Sequence, residues 1–192
     1  MIFEQAPVER IYADQRPAKY TVGLLAAALQ AVTWAREAGM RVTMDGERIV
    51  PGIEELWPLV DVLVCNPRFL AKASGREKPR EGLRALADRG PPRVAVTLAE
   101  EGALGYEKGQ WVRAPGFRVT VVDTNGAGDV FHGACAFGEL RGWPFEWVLT
   151  FASAVAAMKC RSLGGRRGIP RLSEVAEFLT SHGRRDIAAT LT

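Results

Sequence analysis

The chain has 192 residues, 47% of them hydrophobic and 24% charged, with a formal net charge of +3. That is enough for one domain, residues 1–192, with a core of its own, in the ordinary balance of a globular protein. No membrane span and no signal peptide are expected: no apolar stretch approaches a membrane span, and Met1-Ile2-Phe3 runs at once into Glu4 and Gln5.

In chain order, residues 1–10 lead towards a strand, Ile11-Tyr12-Ala13 is a short apolar run, and Gln15-Arg16-Pro17 reads as a loop. Residues 20–38, rich in Ala and Leu and closed by Gly39, predict a helix. A strand follows over 40–44, terminated by Asp45-Gly46, then a short helix over 53–59 with Pro58 near its end. Residues 61–65 are apolar nearly throughout, as in a parallel strand covered on both faces. Asn66-Pro67 ends it. Helical turns are expected over 69–74 and 80–89, a strand over 94–98, and a β-hairpin from 103–107 and 110–112 around Lys108-Gly109. A β-branched run over 118–122 reads as the last strand, and 126–141, 146–160 and 173–179 as helices. Strands alternating with helices over short loops predict an open, mostly parallel α/β sheet in a three-layer α/β/α sandwich.

Cys65, Cys135 and Cys160 lie in apolar surroundings without ligand spacing and read as buried free thiols of a cytoplasmic protein. Two histidines are too few for a histidine metal site; His132 either lines a pocket or packs. Basic residues outnumber acidic ones after residue 140, and Arg161, Arg166 and Arg167 crowd one loop. No aromatic ladder or nucleic-acid motif accompanies them, so a positive rim for an anionic nucleotide or sugar phosphate is the better fit.

The chain is organised around Asp123-Thr124-Asn125-Gly126-Ala127-Gly128-Asp129-Val130-Phe131. Two glycines at a turn into a helix let backbone N–H groups converge, and the helix end adds unpaired N–H groups and a positive dipole end. Asp129, on the first turn, is either a dipole-favoured carboxylate or a proton acceptor beside an anion site. The motif is neither a Walker A loop nor a dinucleotide fingerprint.

The full string resembles the C-terminal signature of the PfkB, or ribokinase-like, carbohydrate kinases, Asp-Thr-x-Gly-Ala-Gly-Asp-x-Phe. The resemblance implies an anion hole at Gly126, Ala127 and Gly128, with Asp129 as catalytic base. From Ile11 on, the order of elements resembles the C-terminal two-thirds of such a kinase. Thr97-Leu98-Ala99-Glu100-Glu101-Gly102 resembles the family's nucleotide loop, placing Thr97, Glu100 and Gly102 at the nucleotide. Asn66 stands where relatives carry an Asn near phosphate or metal-bound water, and Ser153 lies on the helix that flanks the adenine, where many members have Asn. Asp123, Asn125 and backbone carbonyls around Lys159, Ser162, Gly164 and Gly168 are implied to hold a monovalent cation such as K⁺, which would buttress the nest. Two departures stand out: Phe69 replaces the Glu of an Asn-x-x-Glu motif, and Ala99 replaces a loop glycine, which is tolerable if its φ is negative.

The implied activity is ATP- and Mg²⁺-dependent transfer of the γ-phosphoryl group to a sugar alcohol of ribose, fructose or keto-sugar type. Alternatives are a nucleoside or vitamin kinase of the same fold, or a non-catalytic nucleotide-binding remnant. The resemblance lacks the family's first strands, lid and sugar-gripping residues. That predicts an open sheet edge and a homo-oligomer that covers it.

Overall fold

Apolar residues recur here in two rhythms, one of two residues and one near four, and each becomes one kind of element. The structure is a computed structural model and describes residues 18–191; the expected elements before residue 18 lie outside that range. Helix α1 (Ala18–Glu37) leads to strand β1 (Thr43–Gly46), a 3-10 helix (Ile53–Leu59), strand β2 (Val62–Cys65), and helices α2 (Pro67–Ser74) and α3 (Pro79–Ala87). Strand β3 (Arg93–Thr97), a 3-10 turn (Ala99–Glu101), and strands β4 (Ala103–Glu107) and β5 (Gln110–Ala114) come next. Then follow α4 (Ala127–Leu140), α5 (Phe145–Lys159), α6 (Leu172–Ser181) and α7 (Arg185–Ala188).

The five strands lie side by side in chain order. β1, β2 and β3 run parallel, as helical crossovers require, while β4 and β5 continue the sheet antiparallel. Strand alternation divides the core in two. Val62 and Val64 face a cluster with Phe131, Phe145, Leu149 and Val175 from α4, α5 and α6. Leu63 and Cys65 face the opposite cluster, with Phe69, Leu70, Leu83 and Leu86 from α2 and α3. The sheet therefore sits between two helical layers, the α/β/α sandwich expected. Helix α5 is buried on nearly every side because α4, α6 and the hairpin surround it. No helix among the described residues is long and apolar enough to cross a membrane.

Local chemistry sets several boundaries. Asn66 Oδ1 accepts the Phe69 N–H at 2.8 Å, Pro67 occupies the first turn, and Gly75 closes α2 in the left-handed region, so Asn66 is a helix cap. β1 begins three residues later than expected. Met40 N–H still donates to Ala35 O, finishing α1, and pairing with β2 starts at Thr43 opposite Val62. Residues 53–59 form a 3-10 rather than an α-helix, with Pro58 inside. The strand expected over 118–122 does not form. Val121 and Val122 are each 58% exposed, and the N–H groups of Val122 and Asp123 both bind Cys160 O at the end of α5. That tie replaces a sheet ladder.

Candidate functional site

The approach to α4 is fixed from below. Val122 and Asp123 N–H donate to Cys160 O at 2.8 and 3.1 Å. The Asp123 carboxylate accepts the Asn125 N–H at 2.9 Å and the Gly164 N–H at 2.7 Å. The Asn125 bond, the Gly164 bond and the nearby Lys159 charge hold the Asp123 carboxyl below the usual carboxylate range. Lys159, fully buried at the end of α5, donates Nζ to the Asp123 carbonyl oxygen at 3.0 Å. Gly126 then turns the chain with φ +76°, and a Cβ there would stand 3.1 Å from Gly165 O. A side chain at Gly126 would thus be strained both by conformation and by space.

What this scaffold presents is a set of unused donors. Ala127 N–H bonds Thr124 O, but the N–H groups of Gly126, Gly128 and Asp129 have no acceptor among the described residues. No side chain caps this helix end. Asp129 is exposed and makes no hydrogen bond or ion pair among the described residues. A free carboxylate and free helix-end N–H groups are therefore side by side, one able to take a proton and the others to hold negative charge.

An open cleft of about 900 Å³ lies against this helix end. It brings together Thr97, Glu100, Gly102, Ala127, Gly128 and Ser153 of the expected residues. Asn66, Gly126 and Asp129 are not part of its lining, although Asn66's neighbour Pro67 is. Ser153 Oγ is buried on the cleft wall without a partner among the described residues, an orphan polar atom that fits a polar ligand edge. Thr97 Oγ1 reaches Cys65 O at 3.5 Å. Gly102 does permit a close backbone approach, but to its own chain: a Cβ there would stand 2.3 Å from Ala114 O and 2.5 Å from Gly116 N. Ala99 has φ +51°, so the condition of a negative φ is not met and this loop holds a non-glycine residue in the left-handed region.

Of the residues expected around a monovalent cation, Asp123, Lys159 and Gly164 are joined by the hydrogen bonds just described. Asn125 is exposed and gives its N–H to Asp123. Ser162 N–H donates to Lys159 O at 3.3 Å, and a Cβ on Gly168 would lie 2.3 Å from that same oxygen.

Sequence reasoning missed the cleft wall formed by Phe117, Arg118, Val119 and Val121, which it read in part as a strand. It also treated Asp45 only as a strand terminator. Asp45 keeps solvent exposure, yet crowding by protein pushes its carboxyl above the usual range; His132 opposes the rise, and Glu47 and Asp129 add to it. A carboxylate at the C-terminal end of a parallel strand was the available signal. His132 Nε2 lies 3.4 Å from Thr43 Oγ1, and its Nδ1 is buried without a partner among the described residues.

Residues 20–172 match the pfkB family of carbohydrate kinases. A ribokinase of Haemophilus influenzae is 29% identical over 150 residues, which are 76% of this chain and 49% of that protein. A putative ribokinase structure from Agrobacterium tumefaciens superposes with TM-score 0.76 and 30% identity, covering 83% of this chain and 54% of that one. A fructokinase double mutant from Vibrio cholerae, in a form with fructose, ADP and potassium ion bound, gives TM-score 0.69 and 25% identity, covering 80% and 55%. The chain spans half or less of the length of the curated relatives it matches.

Proposed function

Since the chain belongs to the pfkB family of carbohydrate kinases, we propose that it binds ATP in the cleft and carries the base and anion hole for phosphoryl transfer to a sugar alcohol. One observation carries this reading: the free Asp129 carboxylate and the unpaired N–H groups of Gly126, Gly128 and Asp129 open beside a cleft whose wall holds the orphan Ser153 hydroxyl. A capping aspartate would be spent on the helix; this one is not.

Asp129 accepts the proton of the attacking sugar hydroxyl, which makes the oxygen a better nucleophile as it reaches phosphorus. The N–H groups at the start of α4 stabilise the negative charge that develops on the transferred group, without reorganising to do so. Ser153 gives its hydroxyl to the nucleotide, and the small side chains Ala156 and Ala157 leave room for a flat base. When bound, ATP would supply the phosphoryl group and Mg²⁺ would offset part of its negative charge. Among the described residues no three or more His, Cys, Asp or Glu side chains gather as a metal cage. Fructose- or ribose-type sugars are the acceptor class that fits the relatives named above.

The test is calorimetry of the chain with Mg-ATP. Weak binding is expected, because an open cleft buries less of its ligand than an enclosed one. No heat and no thermal shift up to several millimolar nucleotide would overturn the proposal.

A further inference from the structure

The helix end beneath the proposed anion hole carries a positive charge of its own. Lys159 is the last residue of a largely apolar helix, in a place where a lysine ordinarily extends to water. Instead it is fully buried, and its Nζ donates to the Asp123 carbonyl oxygen at 3.0 Å. A buried ammonium needs compensation. It finds the Asp123 carbonyl oxygen and the negative end of the α5 dipole.

We propose that the Lys159 ammonium is the resident cation behind the anion hole, so that this chain takes no monovalent metal ion there. The inference rests on reading the start of α4 as the anion site. The residues do not fit a potassium ion. Asp123 Oδ1 and Oδ2 already accept from Asn125 and Gly164, and its carbonyl accepts from Lys159. The Lys159 carbonyl accepts from Ser162 and is crowded by Gly168. A second cation would lie next to a buried ammonium, with the Asp123 carboxylate to offset both charges. An ammonium is a compact point charge with donors that bind oxygen, so it can do the bridging a bare ion would do. Being tethered to α5, it needs no salt in solution. It braces Asp123, and through Asp123 the turn at Gly126.

The test compares potassium chloride with tetramethylammonium chloride, each at about 100 mM so that screening is equal. Wild-type chain should melt at the same temperature in both, and crystals soaked in thallium(I) should show no anomalous peak beside Asp123 O. Lys159→Ala should melt lower and regain part of the loss in potassium or ammonium salt, because the vacated space is polar and can accept an ion. A thallium peak at Asp123 O in the wild type, or a wild-type melting temperature that rises with potassium, would overturn the proposal. Should the variant fail to fold, the two wild-type measurements decide. None of these readouts needs ATP, so a chain that binds no Mg-ATP in any salt would defeat the kinase reading while the thallium and melting results still judge Lys159.

Discussion

Two acidic residues ride at opposite ends of helix α4 and have opposite fates. Glu139, near its C-terminal end, is 2% exposed by side chain; Arg93 bonds its Oε1, and Arg41 Nη2 stands 2.9 Å from its Oε2. The Arg41 contact is close enough for an ion pair but too poorly aligned for a hydrogen bond. Arg93 also binds Glu107 at 2.6 Å and lies over the Phe145 ring. At the other end, Asp129 is exposed and has no such partner among the described residues. A buried carboxylate persists only when compensated, and the Glu139 oxygens are committed to Arg93 and Arg41. The Asp129 oxygens, beside unpaired N–H groups, are open to an incoming ligand. One acid of this helix is built into the architecture, and the other is left open, as its proposed role in the chemistry requires.

The largest expected effect breaks the chemical end. In a form of the protein that phosphorylates a sugar, Asp129→Asn should lower kcat by roughly 10²–10⁴, with KM little changed, because the loss falls in the transition state. Its melting temperature and Mg-ATP affinity should stay near wild type, since Asn keeps the shape and still suits a helix start. Steady-state kinetics at saturating sugar and Mg-ATP decide; a kcat within about threefold of wild type would leave Asp129 a helix-end carboxylate only.

The architectural end should answer in the other currency. Glu139→Gln removes the charge facing Arg93 and Arg41 in a buried site, so urea unfolding should show a loss of about 3 kcal/mol. Mg-ATP binding by the folded fraction should be unchanged, because Glu139 lies at the far end of the helix from the cleft. A variant as stable as wild type would show that Arg93 is satisfied by Glu107 alone.

This division was only half legible in the sequence. The helices over 20–38, 126–141 and 146–160 followed from their apolar pattern, the first also from its closing Gly39, and Asp123 to Phe131 pointed to the family as one long string, within which Asp123 and Gly126 have a visible geometric duty. The run over 118–122 was misread because β-branched content reports fitness for a pleated surface, not the presence of a partner strand. Asp45 was passed over because an Asp-Gly after a strand is common turn chemistry. Lys159 was read through its carbonyl alone. That its side chain turns inwards to Asp123 depends on the 159–165 loop folding back under the nest, a contact no local pattern encodes. Glu139 looked like any helix-surface acid, since Arg41 and Arg93 come from distant segments.

The smallest expected effect probes the cleft wall opposite the nest. Ala99 opens the 3-10 turn after β3 with φ +51°, and it is exposed, so its methyl group contributes no packing. An alanine in the left-handed region carries a steric cost of roughly 1–2 kcal/mol that glycine avoids. Glycine in turn adds disorder to the unfolded chain, worth about 0.5–1 kcal/mol against folding. The balance favours Ala99→Gly by up to about 1 kcal/mol, which urea unfolding can resolve. Mg-ATP affinity should stay within about twofold of wild type, because the loop is held by Gly102 against residues 114–116 and not by the Ala99 conformation itself. A destabilised variant would mean that the backbone at 99 does not occupy the left-handed region in solution. A more stable variant that binds nucleotide several-fold more weakly would carry a different message: the strain would then serve the cleft, and the wall facing α4 would share the functional character now given to the Asp129 end alone.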